Sequence, residues 1–338
     1  MRLFHGLMAG IVAFGAGVTT AGAAEPVKIR LAWVIPLTNW GSLLFEKKDI
    51  LKHYGTSYTV ETVRFQGTPP MITALATGEL DIADLAYSSF AIAIQNAGLE
   101  DLRVIADETQ DGVEGYDSGP FMVLREGPVK KIEDLKGKVV ASVGAGAAVD
   151  IAMRAVLRKH GLEDKRDYSV VEAGFPNMRA MLTDKKVDLV PAALPFVLDP
   201  EFVKVATPLF RLKDAFGGPV ELIVWVARQN FLQNNRAAAV DFMEDCVRAV
   251  HFLTDPKNRP EVIEIAARVS KLSPVLLDSY LFTKKDLHRD PNMVPDLDGL
   301  QRAVDVASEL GFLKRRIDVK SHADLSIVLE AGRRVNLH

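Results

Sequence analysis

The sequence predicts an α/β protein built from mostly parallel sheets with crossover helices. Short runs rich in Val, Ile, Leu and aromatic residues alternate with amphipathic runs of helical period along the first two thirds of the chain. Pro stands at the start of helical runs and Gly just past their ends, as helix geometry favours. A loop of small residues, GAGAA at 144–148, joins a strand to a helix, where backbone N–H groups lie open to a ligand at a strand's carboxyl end.

VKIRLAWV (27–34) is the first strand, and a loop over 35–41 follows it. YTVETVRF (58–65) is the second, ending in Gln66, Gly67 and Thr68. Pro69 and Pro70 open a helix that runs to Thr77 and stops at Gly78. DIADLA (81–86) is the third strand, and it ends in Tyr87, Ser88 and Ser89, with Ser88 placed to cap the helix that stops at Gly98. LRVIADE (102–108) is the fourth.

Between 108 and 125 the composition turns to Gly, Asp, Ser and Pro before GPFMVLRE resumes a strand, which reads as a crossing into a second domain. VVASV (139–143) leads through the small-residue loop into a helix with Val149, Ala152, Met153, Val156 and Leu157 on one face. YSVVEAG and VDLVPAAL are two more short strands, with a helix over 177–183 between them, and FGGPVELIVWVARQ reads as the return crossing. From 234 onward the pattern is helical, with amphipathic segments near 236–253, 260–269, 297–310 and 324–331. The predicted plan is a signal peptide over 1–24, a discontinuous first domain (25–117 plus 219–338) and an inserted second domain (118–218). Hinge strands are expected near 118–125 and 222–228, with a ligand cleft between the domains.

Arg2, the apolar run 7–18 and the small residues Ala21, Gly22, Ala23 and Ala24 have the form of a cleavable signal peptide, so export to the periplasm is expected. The cut falls after Ala23 or Ala24, and a mature chain of roughly 315 residues suits two domains. A net charge of −3, spread evenly, gives no electrostatic case for nucleic acid. Cys246 is the one cysteine, which excludes an internal disulfide. The histidines show no His-x-x-x-His spacing and no G-x-S-x-G elbow occurs, so neither a metal nor a catalytic residue is expected. The acidic trio Glu79, Asp81 and Asp84 suggests a carboxylate site, although Asp81 after Gly78 is better read as a turn residue.

Four passages in order, ALATGELDIADLAYSS (74–89), KKIEDLKGKVVASVGAGAA (130–148), MLTDKKVDLV with the proline loop after it (181–196) and a late stretch ending in GFLKRRID, resemble the periplasmic substrate-binding proteins of ABC importers. The resemblance is to the family that includes binding proteins for taurine, aliphatic sulfonates, nitrate and thiamine-pyrimidine precursors. It implies a type II two-domain fold, a monomer without cofactor or chemistry of its own, which closes on a small molecule and hands it to a membrane permease. Carried over by position, the ligand-facing residues are Asn39 and Trp40; Gln66, Gly67 and Thr68; Tyr87, Ser88 and Ser89; Asp117 and Ser118; Gly144, Ala145, Gly146 and Ala147; Phe175 and Asn177; and Pro195 and Phe196.

Two departures bear on the ligand. Many relatives have Ser after the loop glycine and Trp before the later proline, where this chain has Ala145 and Leu194. The carried-over loops also contain no Lys or Arg, although Arg125 and Arg179 stand just outside them. A molecule with a flat or apolar body fits this set better than bare nitrate: an aromatic or apolar-bodied acid, a sulfonate or a pyrimidine. Trp40, Phe175 and Phe196 have an alternative reading as core aromatics. Two rival functions remain: a ligand receptor for a membrane sensor, and an NAD-dependent enzyme using the Gly144–Gly146 loop with Glu172 beyond the next strand. Against the enzyme, Val149 replaces the third glycine of the dinucleotide fingerprint.

Overall fold

The computed structural model describes residues 25–336, and the predicted signal peptide lies outside the described residues. Ten strands occur in chain order: β1 (Val27–Trp33), β2 (Tyr58–Arg64), β3 (Ile82–Ala86), β4 (Leu102–Asp111), β5 (Pro120–Leu124), β6 (Lys138–Ser142), β7 (Tyr168–Glu172), β8 (Val190–Pro191), β9 (Ala206–Arg211) and β10 (Val220–Arg228). The larger sheet has the order β2-β1-β3-β10-β4. In it β1 is parallel to β2 and β3, and β10 runs antiparallel to both β3 and β4.

The chain leaves this sheet after Asp111 and re-enters it at Val220. The strands between form an antiparallel sheet β8-β5-β9 and a parallel pair β6-β7, joined by a bridge between Val140 and Leu189. The α/β class holds, and the sheets are mixed. The return strand β10 pairs beside the departing strand β4 and must run against it.

Local chemistry explains the elements. All five positions of β3 are buried, as in a central strand covered on both faces, and Asp84 is its one charged residue. The helix Pro69–Ala76 takes its prolines in the first turn and ends before Gly78, whose φ of 73° is in the left-handed region. The helix Ala148–Lys159 buries Ile151, Ala152, Met153, Val156 and Leu157 and places Arg158 and Lys159 at its negative end. Apolar clusters cover both faces of the larger sheet, one of them against the helices Arg236–Thr254, Arg259–Ser270 and Ser326–Asn336.

Three expectations are corrected. The helix after β3 begins at once, Tyr87–Asn96, with Ala86 as its extended N-cap residue. Ser88 is therefore not the cap; it lies in the first turn, buried, with no partner for its hydroxyl. Strand β9 (ATPLFR) has no counterpart among the expected strands. Pro208 is tolerated at the sheet edge, beside a register irregularity opposite Phe121 and Met122. The last third is not helical throughout: residues 281–296 run along β4, where the Asp107 N–H donates to Met293 O (2.7 Å) and the Gln110 N–H to His288 O (2.9 Å).

Candidate ligand site

A cavity of about 150 Å³, partly open to solvent, lies between the ends of β3, β4 and β10 and the residues of the 119–212 segment. The larger sheet and its loops contribute Val34, Ile35, Thr38, Asn39, Gln66, Thr68, Asp84, Thr109 and Ile223. Across from them stand Val143, Ala147, Phe175, Ala193, Leu194 and Leu212. Thr38 Oγ1 donates to Leu194 O across the gap (3.1 Å), and the Arg289 guanidinium donates to Thr38 O (3.1 Å).

Of the residues expected to face a ligand, Asn39, Gln66, Gly67, Thr68, Asp117, Ala147 and Phe175 line this cavity. Asn39 Oδ1 accepts from the Val34 and Ile35 N–H groups (3.1 and 2.7 Å), so its carbonyl shapes the loop. Thr68 Oγ1 pairs with Ser89 Oγ (2.7 Å), which places Ser89 one residue behind the wall. Pro195 and Phe196 line an adjoining outer groove, which also takes in Phe175 and Arg179. Phe175 and Phe196 stack there at 6.5 Å between ring centroids.

Other expected residues stand away from the cavity wall. Trp40 is buried in the core, stacked on Phe282, with its backbone N–H donated to the Glu108 carboxylate. Tyr87 is buried and donates to Ala148 O (3.0 Å), and Ser118 donates to Asp111 Oδ1 (2.6 Å). Ser88 and Asn177 also fall outside the lining. The small-residue loop differs most from expectation. Gly144, Ala145 and Gly146 are off the wall, and the chain's own acids take the loop amides: Ala145 N–H donates to Glu172 Oε1 (2.8 Å) and Gly146 N–H to Asp150 Oδ2 (2.9 Å). Two carboxylates thus take these two amides, and the N–H groups left open at this helix start are those of its own first turn, where Ala148 and Val149 line the cavity. That arrangement counts against the dinucleotide reading.

Sequence reasoning missed Thr109, Asp111, Leu222, Ile223 and Leu287, which line the cavity, and named Asp84 in the acidic trio without placing it among the ligand-facing residues. The signal for Asp84 was present: a carboxylate in the middle of an otherwise apolar, doubly covered strand is rarely tolerated without a use. Leu287 arrives on the non-helical 281–296 segment, which had no signal.

The site is acidic. Among the described residues no Lys or Arg lines the cavity. Asp117 is paired with Arg211 (2.9 Å). Burial pushes Asp111 up to about 6 against the bonds from Ser118 and the Gly119 N–H. Behind the wall, burial likewise raises Asp107 to about 6 and Glu108 to about 8. Arg289 stays behind the wall, bound to Asp286 (3.0 Å) and lying over the Trp40 ring. A separate grouping of His53, Asp241 and Glu244 has metal-ligand character, but Arg334 and Arg248 already occupy its carboxylates at 3.0 and 2.7 Å.

A sequence profile of the NMT1-like family matches residues 22–267. The chain belongs to the NMT1-like family. No curated protein matches it by sequence. Among solved structures, the chain is similar to the alkanesulfonate-binding protein SsuA from Xanthomonas axonopodis pv. citri bound to MOPS, at a TM-score of 0.69 and 19% identity over 90% of this chain and 100% of that one. The periplasmic nitrate-binding protein NrtA from Synechocystis PCC 6803 is similar at a TM-score of 0.70 and 14% identity, over 93% of this chain and 90% of that one. At these identities the likeness is one of fold. Both of these neighbours are named for the small molecule that they bind. Among the described residues no helix is long and apolar enough to cross a membrane.

Proposed function

We propose that this protein is a periplasmic, monomeric solute receptor that closes on a small organic molecule with a flat or apolar body and delivers it to an ABC importer. Closure brings together two domains, 25–117 with 219–338 and 118–218, about the crossings that leave β4 and re-enter at β10. The observation that carries the reading is a largely apolar cavity between the larger sheet and the inserted segment, without a cation on its wall. Binding energy spent on closure gives a permease a closed form to recognise. The neighbours that bind alkanesulfonate and nitrate support the class of function, and Leu194 on the cavity wall argues for a different cargo.

The test is to purify the protein from the periplasm of its own host, release any retained small molecule by denaturation and identify it by mass spectrometry. Adding the molecule back at about a hundred times its Kd should contribute about 2.7 kcal/mol, or about 5 to 10 °C in Tm. It should also reduce the radius of gyration in solution scattering. A retained molecule that changes neither overturns the receptor reading, and so does a Tm response to NAD alone.

A further inference from the structure

The cavity wall carries an unanswered demand for hydrogen-bond donors. Asp84 is 1% exposed, and neither Oδ1 nor Oδ2 has a hydrogen-bond partner. Thr109 Oγ1, fully buried on the same wall, has none either. The nearby Val34 N–H is committed to Asn39 Oδ1. Leaving a buried carboxyl without partners is costly, and chains rarely retain one on structural grounds alone.

The strand explains why Asp84 is held there. It sits in β3, opposite Trp225 of β10, with buried residues on either side in sequence. The cavity is the space left for its carboxyl to face. Burial first and the neighbouring Glu108 second push its pKa well above the ordinary carboxylate range, against the nearby Asp84 and Val34 N–H groups, so the empty site holds a neutral carboxyl that a cation beside it would draw into the ionised form. An anionic head would meet the opposite situation. Asp84 and Asp111 line the cavity with no Lys or Arg on the wall, Arg211 is spent on Asp117, and Glu172 and Asp150 take the Ala145 and Gly146 N–H groups, which leaves an anion only the first-turn N–H groups of Ala148 and Val149.

On the receptor reading above, we infer that the cargo carries a nitrogen head, an ammonium or amidinium group, that donates to Asp84 with Thr109 beside it, while its apolar body packs against Ile35, Leu222, Ile223 and Phe175. The ligand class is thus an organic amine or amidine with an apolar body. Carboxylates and sulfonates of the same body should bind more weakly than the amine. The charge-assisted bond fixes the head, and the apolar wall accepts bodies of several shapes.

Matched heads on matched bodies test this without any variant: benzylamine and benzamidine against benzoate and benzenesulfonate, by calorimetry and thermal shift on the mature protein. The amine or amidine should bind and raise Tm, and the two anions should do so more weakly. Asp84→Asn should weaken the amine by about 10- to 100-fold, the range for a lost charge-assisted hydrogen bond, and Thr109→Val by a few-fold. Circular dichroism and Tm of the unliganded variants establish that each is folded, and if Asp84→Asn is not, the head comparison and Thr109→Val still decide. Anion binding as tight as that of the amine, failure of both nitrogen probes, or equal amine affinity in folded Asp84→Asn each overturns the inference. Anion binding would leave the receptor reading intact, because that reading stands or falls on the molecule retained from the periplasm.

Discussion

Asp111→Asn measures how much the point where the chain leaves the larger sheet depends on a buried proton. Asp111 ends β4, accepts from Ser118 Oγ (2.6 Å) and the Gly119 N–H (3.0 Å), and through Ser118 reaches the Lys213 N–H (3.1 Å). Burial outweighs those bonds and lifts its pKa from 3.8 to about 6. Two units correspond to about 3 kcal/mol at roughly 1.36 kcal/mol each. The folded protein keeps a proton that the unfolded chain gives up. The contribution is therefore complete below the unfolded value and lost as pH rises through about 6.

The asparagine still accepts from Ser118 but turns a donor toward the Gly119 N–H, which costs about 1 to 3 kcal/mol at any pH. The expected result is a variant less stable than the parent near pH 4, with the gap changing in its favour by about 3 kcal/mol by about pH 7.5. Urea unfolding followed by tryptophan fluorescence at the two pH values gives both gaps. Asp107 and Glu108, also raised by burial, lower the stability of both proteins over this interval and cancel in the difference. A gap that changes by less than about 1 kcal/mol would refute the reasoning.

Two further outcomes are expected. Asp150→Ala strips the acceptor from the Gly146 N–H and one of the two carboxylates from half-buried Arg154, and urea melts should show a loss of about 3 kcal/mol; under about 1 kcal/mol would mean that the loop holds itself. Cys246 is fully buried and its thiol is raised well above its ordinary range by burial, so iodoacetamide should spare the native protein and modify it in urea; equal rates would mean that the helix Arg236–Thr254 does not pack as described.

The fold was legible where periodicity and punctuation agreed. VKIRLAWV, DIADLA and the Val149–Leu157 face each matched an observed element within a residue or two, because burial on a sheet or helix face leaves a pattern in the chain. What escaped were places where tertiary context overrode local rules: Pro208 inside β9, and the 281–296 segment held straight by bonds to β4. For the site, positions at strand ends were readable but side-chain partners were not. The GAGAA loop has the composition of an anion cradle, and nothing in it reveals that Glu172 and Asp150, 27 and 4 residues away, take its amides. Asp84 was visible as a charge in an apolar strand and was passed over beside Asp81, which the structure pairs with Arg30 (2.7 Å).

The apolar cluster private to the inserted 118–218 segment is small: Met122, Ala141, Met178, Leu182, Val187, Val190, Ala192, Phe202 and Ala206. Its helix Ala148–Lys159 buries its apolar face in a cluster that joins residues of the segment itself, among them Val140, Leu162, Phe210 and Leu212, to the helices Tyr87–Asn96 and Leu297–Glu309. An insertion whose largest helix also seats on the host is coupled to it in folding. Cut out, it would expose that face, and left in place it should melt together with the rest in one calorimetric transition. The same dependence implies that during synthesis the segment waits, unfinished, for the helix Leu297–Glu309 emerging some 140 residues later.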